Sequence, residues 1–185
     1  MSWRTVSLAA TPSQPWRNGG GATRELLAWP TASDWRVRMS VAEVASAGPF
    51  SRFDGVERWI AVLEGEGVAL RIDGQSHPLT RASEAFRFDG GAAVHCDLPG
   101  GATRDFNLMA AVPAAARMKR VHGELAVGTG APALLALYAH ASPAHALLDG
   151  EAVSLPPFHF AWRLQDAPAR GQVIAEDALW MEVAR

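Results

Sequence analysis

Cysteine is almost missing from this chain of 185 residues; Cys96 is the only one. A single thiol excludes a disulfide framework and any multi-cysteine zinc site. It reads as a buried apolar thiol, because a nucleophile needs a neighbouring base that the sequence does not place. Lysine is equally scarce, with Lys119 alone, and 17 basic residues stand against 19 acidic ones. That balance gives no surface for nucleic acid or membrane, and the run Arg117-Met118-Lys119-Arg120 reads as a solvated linker. The first residues, Met1-Ser2-Trp3-Arg4-Thr5-Val6, lack an apolar leader core, and no apolar run is long enough to span a bilayer. The expectation is a cytoplasmic protein. The six histidines (His77, His95, His122, His140, His145 and His159) show no His-x-His or His-x-x-x-His spacing, so no metal and no cofactor are expected.

What the chain does have is punctuation. Glycines and prolines recur at short intervals, and the segments between them alternate apolar and polar residues over strand lengths. Strands are expected at 3–9, 23–29, 35–44, 57–63, 68–72, 85–88, 94–98 and 105–111. A second set follows at 123–127, 134–140, 144–148, 151–155, 160–164, 172–175 and 179–183. Helical periodicity is weak, with at most a short turn of helix at 113–121. Asp73-Gly74 is a hairpin signal, and it recurs 76 residues on as Asp149-Gly150. In the same register Leu79 matches Leu155, and Ala85-Phe86-Arg87-Phe88 matches Ala161-Trp162-Arg163-Leu164. The expectation is all-β, two fused barrel halves at 1–112 and 113–185.

Four stretches stand out chemically. In Pro15-Trp16-Arg17-Asn18-Gly19-Gly20-Gly21-Ala22-Thr23-Arg24-Glu25 the glycines permit a sharp bend and close approach to a ligand. The same residues equally make a tight corner tied by Asn18 and Thr23. In Trp35-Arg36-Val37-Arg38-Met39-Ser40-Val41-Ala42, period two puts Arg36, Arg38, Ser40 and Ala42 on one face, opposite an apolar face that wants a core. Arg58 lies in a strand apolar on both sides, where a buried charge needs a partner: Glu64, Glu25 or a ligand carboxylate. Asp105, Asn107 and Met109 share one face of a strand in which Asp and Asn are poor formers.

The run Ser51-Arg52-Phe53-Asp54-Gly55-Val56-Glu57-Arg58-Trp59-Ile60-Ala61-Val62-Leu63-Glu64-Gly65-Glu66-Gly67 resembles the metal-binding motif of the cupin superfamily, which places His, His and Glu ahead of an apolar strand ending in glycines. Here the ligand positions fall at or near Ser51, Phe53 and Arg58, and a guanidinium cannot ligate a cation. Together with Gly48-Pro49-Phe50-Ser51-Arg52-Phe53, Leu63-Glu64-Gly65 and Asp105-Phe106-Asn107-Leu108-Met109, the stretches above resemble the HutD/Ves family across residues 15–109, and more loosely beyond. The resemblance implies two fused cupin-like jelly-roll barrels, a bicupin. It also implies a regulatory or small-molecule-binding role in bacterial histidine utilization, without an established enzymatic activity. One departure is that Ala110, Ala111 and Val112 stand where the family often has basic residues, so that Arg117 would have to substitute.

The expected partner is therefore a small anionic metabolite, a carboxylate. That pathway's intermediates, urocanate and formylated or formiminated glutamate, are planar or dicarboxylate anions. Arg58 and Arg38 would offer bidentate forks, with Asn18, Gly20, Thr23, Ser40, Ser51 and Asn107 orienting the rest. Two rivals stand beside it. One is a metal-independent enzyme using Glu25 or Glu64 as acid or base; turnover followed by mass spectrometry separates it from binding. The other is a partner-binding scaffold, which a side-chain-filled barrel would favour. A sheet edge exposed in such a fold can also pair with a second copy as a homodimer.

Overall fold

A computed structural model describes residues 2–130 and 132–185. Among them there is no helix, and none therefore long and apolar enough to cross a membrane. The chain separates into two compact units, one of them Pro12–Pro113.

The Pro12–Pro113 unit is a sandwich of two antiparallel sheets. One has six strands in the order β2 (Ser13–Pro15), β3 (Gly21–Pro30), β4 (Trp35–Val44), β11 (Thr103–Ala111), β6 (Val56–Glu64) and β9 (Phe86–Asp89). The other has four, in the order β5 (Gly48–Pro49), β10 (Val94–Asp97), β7 (Val68–Ile72) and β8 (Gln75–Leu79). Val44, Ile60, Val62 and Phe88 from the first sheet meet Val68, Leu70, Leu79, Val94 and Cys96 from the second in one buried cluster. The alternation of apolar residues fixes the register, since a one-residue slip would turn this whole set outward. Val37, Met39 and Val41 are buried on the opposite face of β4, as its period demands.

The second unit holds the seven-stranded sheet: β1 (Arg4–Ser7), β16 (His159–Gln165), β13 (Ala133–Ala139), β17 (Ala169–Ala184), β14 (Ala144–Leu148) and β15 (Glu151–Leu155), with β12 (Ala116–Thr129) also on β17. The sixteen-residue β17 rolls this sheet: its end pairs with β13 from Ala178 to Ala184, and its beginning pairs with β14 from Gly171 to Ala175. A bulge in β12 at Val121/Gly123, with Gly123 at φ 86°, sits opposite the bend.

Three expectations require correction here. Strand β1 was assigned to the N-terminal half, yet it pairs with β16 from Arg4↔Trp162 to Ser7↔His159. The turn of helix at 113–121 is instead the start of β12, and the basic run Arg117–Arg120 is a paired strand, not a linker. Pro113-Ala114-Ala115-Ala116 has helical composition, but thirteen residue pairings with β17 override that weak preference.

The hairpin repeat is real in three dimensions. Asp73 and Gly74 have φ of 50° and 80°, and Asp149 and Gly150 have 48° and 83°, the paired positive values of a type I′ turn. The flanking registers are equivalent, Val68↔Leu79 against Ala144↔Leu155. The second match is not equivalent. Arg87 is exposed and pairs with Glu57, whereas Arg163 is buried under the Trp3 ring and pairs with Glu151. Ala161 rather than Trp162 joins the core of its unit, so the two strands face inward on opposite parity.

Candidate functional site

A cavity of about 430 Å³ opens within the Pro12–Pro113 unit. Its wall is the inner face of the six-stranded sheet at the end not filled by the core cluster. The rows follow from register: Met109 lies between Arg38 and Arg58, Asn107 between Ser40 and Ile60, and Asp105 between Ala42 and Val62. The 16–18 corner and the segment 49–53 complete the wall with Trp16, Arg17, Phe50 and Phe53.

Of the eight residues expected at a site, Asn18, Thr23, Arg38, Ser40, Ser51, Arg58 and Asn107 line this cavity. Gly20 does not. Its carbonyl accepts from the amides of Ala45 and Ser46, and its amide donates to Asn18 Oδ1 at 3.0 Å; it is a corner residue that ties β3 to the end of β4. Gly21 is needed more acutely, because a Cβ there would lie 2.2 Å from the Glu43 carbonyl oxygen and 3.0 Å from the Trp16 ring. The corner thus serves both readings given above: it is a tight turn, and it sets the Trp16 indole on the wall, with Nε1 donating to Thr23 Oγ1 at 2.8 Å.

Arg58 is the most unusual group on the wall. It is 8 % exposed, and neither carboxylate suggested as its partner reaches it. Glu25 accepts from Arg38 Nε at 2.6 Å, and Glu64 accepts from Arg104 Nη1 at 2.8 Å. The guanidinium instead lies against three aromatic rings, Phe88 at 4.9 Å, Phe50 at 5.3 Å and Phe53 at 5.7 Å from their centroids. Nη1 donates to the Ser51 carbonyl at 3.1 Å, while Nε is buried with no acceptor. Burial, and then the charge of Arg38, lower its pKa to about 10, so the cation persists at neutral pH. A buried donor without an acceptor is rare in a folded chain.

Phe50, Phe53, Trp16 and Asp105 are wall residues that sequence reasoning did not assign. Asp105 was visible on the face of Asn107; the aromatic pair comes from a segment placed by the pairing of β5 with β10, which no local signal marks. Arg117, the substitute for missing basic residues, lies exposed on β12 and not on this wall. The wall does not suit the divalent cation common in cupins. Its polar groups are arginine, asparagine, serine, threonine, glutamine and one buried aspartate, and among the described residues no three His, Cys, Asp or Glu side chains cluster as ligands would. Glu25 and Glu64 are each held in an ion pair, with Arg38 and Arg104 respectively.

The core of the second unit is packed with side chains. Trp180, 2 % exposed, lies in its core with the Trp3 ring packed edge-on at 6.3 Å, so aromatic side chains occupy its interior.

Comparison with known proteins agrees with this architecture. The chain is 45% identical over 101 residues to an uncharacterized 21.2 kDa protein in the hutC 3' region of Pseudomonas putida, covering 53% of each. It is 41% identical over 101 residues to protein Ves of Escherichia fergusonii, covering 53% of this chain and 52% of Ves. These matches thus span about half the length of the relatives. Among solved structures, a conserved protein of unknown function from Pseudomonas aeruginosa PAO1 superposes with a TM-score of 0.86 at 35% identity, covering 100% of this chain and 98% of the other. HutD from Pseudomonas fluorescens SBW25, in a formate condition, gives 0.84 at 26% identity, covering 99% and 98%. A cupin 2 conserved barrel protein from Leptotrichia buccalis gives 0.57 at 8% identity, covering 98% and 96%, a likeness of fold alone. The fold is accordingly two cupin-like jelly-roll halves in one chain. The HutD family model matches residues 8–181, and this chain belongs to that family.

Proposed function

We propose that the cavity binds a small carboxylate metabolite without a metal, and that the protein thereby modulates histidine utilization. The observation that carries this reading is Arg58, a buried cation on the cavity wall with an unpartnered Nε and no carboxylate of its own. A ligand carboxylate supplies the missing acceptor in the planar geometry a guanidinium matches. Arg38 contributes less than a free fork would, since Glu25 already compensates its charge. Ser40 and Asn107, at the next row of the wall, add neutral hydrogen bonds. A charge-assisted hydrogen bond contributes about 1.5–3 kcal/mol, so two of them total about 3–6 kcal/mol, which after ordering costs corresponds to weak affinity, no tighter than roughly tens of micromolar. The pathway assignment is supported by the names of relatives, HutD and a neighbour of hutC.

Calorimetry with formate, urocanate and formylated or formiminated glutamate tests the reading. Wild-type protein is expected to bind at least one of these acids, and Arg58→Ala to weaken that binding by about a hundredfold, or 2.7 kcal/mol. Equal affinity in the two proteins would remove the site from this cavity.

A further inference from the structure

The wall carries a second buried ionisable group that the carboxylate reading leaves unused. Asp105 is completely buried and lies two rows from the arginines, flanked in its ladder by Ala42 and Val62. The row of Ser40, Asn107 and Ile60 intervenes, and no cation among the described residues pairs with the carboxyl. Thr103 Oγ1 donates to Oδ2 at 3.1 Å, and Oδ1 is buried with no partner. One hydroxyl is poor compensation for a buried carboxylate ion. The charged or titratable groups around it are Arg58 on β6, Arg38 on β4 with its partner Glu25 on β3, the exposed Arg17, and Cys96 and Asp97 on β10. Of these, Cys96 stays a thiol, because burial, reinforced by Asp105 and Asp97, pushes it up to about 12.

We propose that the cavity is a proton-gated anion site, which holds its carboxylate while Asp105 is neutral and loosens it as Asp105 ionises. The inference rests on the carboxylate reading of the same cavity. Its logic is reciprocal: a bound anion makes ionisation of Asp105 harder, so ionisation must weaken the anion by the same factor. Burial pushes the Asp105 carboxyl up to about 7, against the opposing pull of the Thr103 hydroxyl. The gate therefore operates near neutrality. Two rows of the sheet span about 13 Å, and two like charges about 8–12 Å apart at an effective dielectric of about 20 correspond to roughly a ten- to thirtyfold loss of affinity.

Formate, acetate and glutarate are suitable probes because their carboxylates are already ionised near neutral pH, so their own titration does not intrude. NMR titration of the whole chain at a series of pH values around neutrality should show wild-type affinity falling ten- to thirtyfold as pH rises, then levelling. Asp105→Asn should bind with no such fall. Thr103→Val removes the hydrogen bond that favours the ion, so its midpoint should move to higher pH, a shift that loss of packing alone would not produce. Flat wild-type affinity, or an unmoved midpoint in Thr103→Val, would overturn the gate and leave the carboxylate site standing. If wild-type protein at mildly acidic pH binds none of the three probes, the carboxylate reading itself falls, and the gate with it.

Discussion

Arg58 and Asp105 each break the rule that a buried charge is paired, and they do so on one cavity wall. Their consequences differ in sign. The arginine keeps its charge at neutral pH, so replacing it with lysine preserves the cation but not the fork. Arg58→Lys should therefore bind a carboxylate about tenfold more weakly than wild type, a loss of roughly 1.4 kcal/mol, measurable by calorimetry. Asp105 controls stability instead. The unfolded chain releases this proton near the ordinary value of 3.8, and the native protein releases it only near 7. Between those values the native state holds more protons, so stability declines as pH rises through the window and levels above it. Asp105→Asn cannot ionise and should escape that decline. Its melting temperature relative to wild type should be higher at mildly alkaline pH than at pH 4, and an offset equal at both values would contradict the assignment. At this scale the sequence was informative, because period two along 35–44 and 105–109 places side chains on a face without knowledge of their neighbours. It left open whether Gly20 serves a corner or a ligand, and it was silent on which carboxylates Arg38 and Arg104 would claim.

Among the elements, the 16–21 corner does most to shape the cavity. It brings Trp16 onto the wall and starts β3 beside β4, with Gly21 opposite Val44. Gly21→Ala would force a Cβ against the Glu43 carbonyl. It should cost about 1–3 kcal/mol in chemical denaturation and weaken carboxylate binding together with stability. A variant as stable as wild type would show that the corner adapts. Strands with clean alternation and turn residues at both ends were legible: 35–44, 68–72, 144–148 and 151–155 fall where expected. Others were not. Gln75–Leu79 carries polar residues and Pro78, yet pairs along β7 because the Asp73-Gly74 turn delivers it there. Ala116–Thr129 is claimed by β17, a partner some fifty residues away that no local pattern announces.

Over the whole molecule, one architecture appears twice with different interiors. The hairpins 68–79 and 144–155 are equivalent in turn geometry and register, so this part of the internal repeat recurs in three dimensions, whereas the match of 85–88 with 161–164 does not. The interiors have diverged: a polar cavity with Arg58 in one unit, and Trp180 with Trp3 in the other. Trp180→Phe should accordingly lower the melting temperature, at a cost of about 1–3 kcal/mol from the lost packing, while leaving carboxylate affinity within about twofold of wild type, because the residues that line the cavity belong to the Pro12–Pro113 unit. A parallel loss of affinity would mean that the second interior takes part in binding. The decisive quantity is where a bound acid places its oxygens. A crystal structure of the chain grown with formylated glutamate or urocanate measures this most directly. The predicted result is a carboxylate in the Pro12–Pro113 cavity accepting from Arg58 Nε, and a carboxylate bound elsewhere, with that nitrogen still unpartnered, would contradict it.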